Sequence, residues 1–167
     1  MSIALNTEIN STFADLDKTI SAFSNEQFNQ IPFEGSWTAA QVSDHICKAI
    51  SDASQLLNGP VKDAGRDPEK TIQPIRDLFL DFATKMKSPG FILPGDGPFT
   101  KESFLLNFER IKKEMLSTLP LDLSQLCLAA EMPGFGYLTR TEWLNFFLVH
   151  TQRHTHQLKN ILDALNK

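Results

Sequence analysis

Histidine is the side chain in this sequence whose type and spacing point to chemistry. It occurs four times in 167 residues, at His45, His150, His154 and His156. At ~100° per residue, positions i and i+4 differ by only about 40° around a helix, so His150 and His154 project from one face, one turn apart. The same arithmetic turns His156 away from that face, toward solvent or a rim. Trp143, Phe146, Phe147, Leu158 and Ile161 fall on the side of the His150–His154 pair, which therefore points into an apolar interior. His45 sits in the same way among Val42, Ile46 and Ala49, so two segments far apart in the chain aim three imidazoles at one core.

A buried imidazole needs partners for both ring nitrogens, and each one left unsatisfied costs roughly 1 to 3 kcal/mol. One divalent metal ion shared by three rings removes most of that cost. Zinc or nickel accepts neutral imidazole nitrogens at about 2.0 to 2.1 Å, and three histidines with an open fourth position are the ligand set of a catalytic zinc site, not of a closed structural one. The competing reading has the rings hydrogen-bonded within the core of a non-catalytic bundle, which would bind a small molecule or pair as a homodimer. No general base is assigned: Glu131 and Glu142 lie in suitable segments, but Glu142 is accounted for as a helix-capping residue.

The elements that must position these rings are helical. Leu5, Ile9, Phe13, Leu16, Ile20 and Phe23 recur at steps of three and four and predict a first helix over about Ile3 to Phe23. Ser24 to Gln27 reads as a fresh cap for one short turn, closed by Pro32 and Gly35. Thr38 with Gln41 makes a capping box, with Trp37 packing on Val42, and opens a second helix that ends at Asn58-Gly59-Pro60. A long crossover from Pro60 to Pro98 contains one helix, about Thr71 to Lys87, with Ile72, Ile75, Leu78, Phe79 and Phe82 on one side. Its last stretch, Ser88 to Pro98, has three Pro and three Gly and sustains neither a helix nor a central strand.

Thr100 is expected to cap a third helix, with Phe99 stapled to Phe104, that runs to Leu119 before Pro120. Leu121 to Leu138 is irregular, and its Met132-Pro-Gly-Phe-Gly-Tyr137 stretch argues for an ordered turn near the mouth of the bundle. Thr139 with Glu142 forms another capping box, with Leu138 stapled to Trp143, and the last helix continues nearly to the C-terminus. The expectation is one all-α domain over residues 1–167, a four-helix bundle with long crossover connections.

Bulk properties narrow the function further. The charge of −4 arises from 16 basic and 20 acidic residues interspersed along the chain, so no basic face is expected for nucleic acid. No leader-like N-terminus and no run of ~18 apolar residues is present, so no membrane association is expected and a cytoplasmic location is. Cys47 and Cys127, the two cysteines, have no metal-site or disulfide spacing and read as small buried hydrophobes.

Two segments resemble a known family. Trp37-Thr-Ala-Ala-Gln-Val-Ser-Asp-His45 and Trp143-Leu-Asn-Phe-Phe-Leu-Val-His150-Thr-Gln-Arg-His154-Thr-His-Gln157, with the order and length of the helices, resemble the DinB-like superfamily of DinB/YfiT-type four-helix bundles. The resemblance implies a metal held by one histidine of the second helix and two of the last, which map onto His45, His150 and His154. It gives Gln157, one turn beyond His154, a role in supporting that ligand or in packing. It also implies activity as a transferase using a bacterial low-molecular-weight thiol, or as a metal-dependent hydrolase, on a small-molecule substrate. The Pro60 to Pro98 connection looks longer than is usual for the family.

Overall fold

The structure is a computed structural model and describes residues 2–167. The chain is mostly helical, and four helices make its frame: α1 (Ser2–Ser21), α3 (Ala39–Ile50), α6 (Lys101–Ser117) and α7 (Arg140–Leu165). Helices α1 and α3 each pack against both α6 and α7, which closes a four-helix arrangement around one core. The apolar stripe of α1 is buried along its whole length, and Val42, Ile46, Ile50, Ile111, Met115, Leu144, Leu148 and Leu158 meet it from the other three helices. The short helix α2 (Asn25–Phe28) seats Phe28 in this core, and α4 (Ala53–Leu57) seats Leu57.

The capping boxes are made as their residue types require. Ser24, Thr38 and Thr139 each accept from the backbone N–H three residues on, and Gln27, Gln41 and Glu142 each accept from the cap residue's own N–H. These bonds satisfy end groups that a helix cannot pair internally, and for α3 and α7 they fix the register that turns the histidines inward.

Four expectations need correction. The second predicted helix is interrupted: α3 ends at Ile50, and a turn at Ser51-Asp52 precedes α4, consistent with Ser and Asp being weak helix formers whose side chains compete for backbone groups. The crossover helix α5 covers Ile72–Leu80 and stops short of Lys87. Asp81 leaves helical geometry and its carboxylate accepts from Ala83 N and Thr84 Oγ1, an Asx turn that competes with the next helical turn. Arg153 of α7 then donates to the carbonyls of Phe79, Asp81 and Thr84, and Phe82 is left exposed.

Thr100 precedes α6 but makes no side-chain cap bond. Asn29 instead brackets the chain there, donating to Phe99 O and accepting from Phe99 N, both at 2.9 Å. Cys127 is buried, whereas Cys47 is only half-buried, and burial raises the thiol pKa of both. One element was not anticipated, a two-residue antiparallel pair of β1 (Val61–Lys62) with β2 (Leu126–Cys127) that ties the two long connections together. Helix α5 lies on the outside of α7 and so becomes one wall of the space above the histidines. Among the described residues, no helix is long and apolar enough to cross a membrane.

Candidate metal centre

His45 of α3 and His150 and His154 of α7 converge. One ring nitrogen from each lies within 4.8 Å of the other two, and the ring centroids are 5.0 Å (His45–His150), 4.4 Å (His45–His154) and 4.6 Å (His150–His154) apart. His45 and His150 are buried, and His154 is half-buried at the edge of a pocket. His156 is exposed and stacks on the Phe82 ring, 4.1 Å between centroids, away from the cluster as its helical position requires.

The hydrogen bonds set the tautomers. His45 Nδ1 donates to the Ile92 carbonyl at 2.8 Å, and His154 Nδ1 donates to Gln157 Oε1 at 2.8 Å. With both protons on Nδ1, each Nε2 presents a lone pair, and the two Nε2 atoms face each other at 3.0 Å. Neutral rings repel in that arrangement, and a shared cation stabilises it. His150 Nδ1 is buried with no hydrogen-bond partner among the described residues. Three neutral imidazoles, two of them oriented by a proton on the far nitrogen, fit a borderline divalent ion such as zinc or nickel.

Burial is the main cause keeping the rings neutral. It pushes His154 down to about 3, with His45 adding to the effect, and takes His150 well below the ordinary imidazole value. His45 is lowered too, by burial, against the Ile92 carbonyl and Asp44, which favour its charged form. In the metal-free protein these depressed values make acid destabilising, because the unfolded chain binds protons that the folded rings refuse. The stabilisation is complete above the unfolded imidazole pKa of ~6.5 and is lost as pH falls from there toward 3. For His154 alone the expected loss between pH 6.5 and 5 is about 2 kcal/mol. Urea unfolding with chelator present at pH 7.5, 6 and 5 measures it, and a constant midpoint over that window would contradict the neutral-ring assignment.

The supporting shell was only partly legible beforehand. Gln157 is where the family resemblance put it. Gln157→Leu should weaken metal binding about 10- to 100-fold without unfolding the helix, as read by competition with a chromophoric chelator; unchanged affinity would reduce Gln157 to packing. The strap that holds His45 was missed. Gln41, Asp44, His45 and Lys48 form one stripe of α3, and all four bond the backbone of residues 92–95. Gln41 Nε2 donates to Gly95 O, Asp44 Oδ2 accepts from Gly95 N, and Lys48 Nζ donates to Leu93 O. Their spacing on the face of His45 was the available signal, but the backbone they hold lies in a Pro/Gly loop that no periodicity describes.

A pocket of about 260 Å³ opens over the three rings, walled by Leu78, Phe79, Ile92, Met132, Phe135 and Phe146. The irregular turn beginning at Met132 thus stands at the mouth. A family model for the DinB superfamily matches residues 8–158. The chain belongs to the DinB superfamily. A relative in that superfamily, the uncharacterized protein YuaE of Bacillus subtilis (strain 168), is 25% identical over 151 residues, covering 89% of this chain and 91% of the relative. No solved structure matches the chain. The DinB superfamily assignment and the all-α bundle agree with the fold and family resemblance read from the two histidine-bearing segments.

Proposed function

We propose that this DinB-superfamily protein is a metal-dependent enzyme in which His45, His150 and His154 hold one divalent ion, zinc or nickel, and that the reaction is thiol-dependent S-transfer. The observation that supports the reading is the pair of Nε2 lone pairs facing each other at 3.0 Å, with both Nδ1 protons directed elsewhere. When bound, such an ion supplies Lewis acidity that lowers the pKa of a thiol or a water near it.

The chain's own groups do the rest. Ile92 O and Gln157 hold the rings in the tautomers that leave Nε2 free. Phe79, Phe146 and Met132 exclude water and favour an apolar electrophile. Hydrolysis at the same site would ordinarily use a positioned base to take a proton from water, yet no described residue lining the pocket is Asp, Glu or Tyr. A thiol needs less help, since its ordinary pKa lies near 8.5, and that difference favours transfer over hydrolysis.

Protein purified without an affinity tag, incubated with zinc or nickel and desalted, should retain close to one ion per chain by elemental analysis. Conjugation of monochlorobimane, in which a sulfur–carbon bond forms and chloride leaves, should then require both the ion and an added small thiol from a test panel. Turnover that survives chelation, or that needs no thiol, would overturn the transfer reading.

A further inference from the structure

A second, wider cavity of about 660 Å³ adjoins the histidine pocket, and the two share Met86, Lys87, Ser88, Arg153 and His154 as lining. The acidic residues of the chain outnumber the basic ones, 20 to 16, yet among the described residues no Asp or Glu lines either space, whereas Lys85, Lys87 and Arg153 do. The three cations are not equivalent. Arg153 spends its guanidinium on the carbonyls of Phe79, Asp81 and Thr84. Lys85 and Lys87 are exposed and, among the described residues, have no ion-pair or hydrogen-bond partner. The nearest acid along the chain, Asp81, has its carboxylate turned to Ala83 N and Thr84 Oγ1.

Apolar surface accompanies this positive mouth. Phe82 and Met86, at 47% and 40% exposed, border it, while Phe79 and Phe146 lie inside beside His150. A mouth with unpaired lysines and an inner wall of aromatic rings selects a molecule with the matching asymmetry. We propose that the ligand of this site is an amphiphilic organic anion, its carboxylate, phosphate or sulfonate group held at the mouth by Lys85 and Lys87 and its apolar body directed inward toward the three imidazoles. This deepens the proposed enzymatic reading, resting on it for which end reacts but not for binding itself.

The test uses the full chain, zinc-loaded and metal-free, titrated calorimetrically with octane-1-sulfonate, octan-1-ol and octylammonium; sulfonate is chosen because it is a poor metal ligand. Sulfonate should bind at least about tenfold more tightly than octylammonium, with the gap narrowing at about 0.5 M salt. In K85E/K87E the order of the two ions should reverse while octan-1-ol affinity and helical circular dichroism stay unchanged. Equal affinity for the three probes in the parent protein, or sulfonate affinity unaltered in K85E/K87E, would overturn the proposal. Failure of the metal reading looks different: no ion is retained, but the preference for the anion persists.

Discussion

Replacing His150 with alanine should abolish retention of the ion proposed for the three-histidine site while costing the metal-free fold comparatively little. Apparent binding energies of roughly 10 to 16 kcal/mol for four-ligand structural zinc sites imply about 3 kcal/mol per ligand, so the affinity should fall on the order of a hundredfold or more. The second half of the expectation follows from the orphaned nitrogen. His150 Nδ1 is buried without a hydrogen-bond partner among the described residues, and the ring lies against Phe79, Phe146 and two other imidazoles. Removing it relieves an unsatisfied polar atom, which offsets part of the cavity left behind. A purely structural histidine predicts the opposite pair of results, a loss of about 2 kcal/mol or more in the chelated protein and no change in metal uptake. Zinc competition titrations and urea curves with chelator, on the parent and His150→Ala, separate the two.

What could be read in advance divides along a physical line. Periodicity, caps and the i, i+4 spacing are local, and they placed α1, α3 and α7, the inward faces of His45, His150 and His154, and the outward turn of His156. Features that depend on chain segments meeting in space were not visible. The early end of α5 is reinforced by Arg153, 73 residues beyond Leu80, which takes carbonyls that a longer helix would have kept. The tautomer of His45 is fixed by a carbonyl 47 residues away, in a loop whose prolines and glycines say only where helices cannot be. Glu142 shows both sides at once. Its capping bonds to Thr139 were read from the sequence, whereas Arg66, from the first part of the crossover, was not anticipated as its partner.

That pairing yields the largest expected change in stability. Glu142 is fully buried; Oε1 accepts from Arg66 Nη1 at 2.8 Å and Thr71 N at 2.9 Å, and Oε2 from Arg66 Nη2 at 2.7 Å and Thr139 N at 2.8 Å. Burial alone would raise its pKa, but Arg66 and the backbone N–H groups of Thr139 and Thr71 outweigh it and hold the carboxyl below the ordinary range. Arg66→Ala leaves that carboxylate buried without its cation, a change that costs about 3 to 5 kcal/mol at neutral pH. The sign with pH is fixed by the direction of the shift. A depressed carboxyl pKa stabilises the fold above the unfolded value near 4.3 and loses that contribution as pH falls through the folded value. In the variant burial wins and the pKa rises, so the deficit should be greatest near pH 7 and should narrow toward pH 4. Urea midpoints at the two pH values test this, and a deficit independent of pH would mean that Arg66 acts through packing alone. The consequence reaches the site, because this cluster binds Thr71 at the head of α5 to the first turn of α7. With it loosened, Leu78 and Phe79 lose their anchored wall position over the histidines, and metal should exchange faster from Arg66→Ala even at temperatures where the helices remain intact.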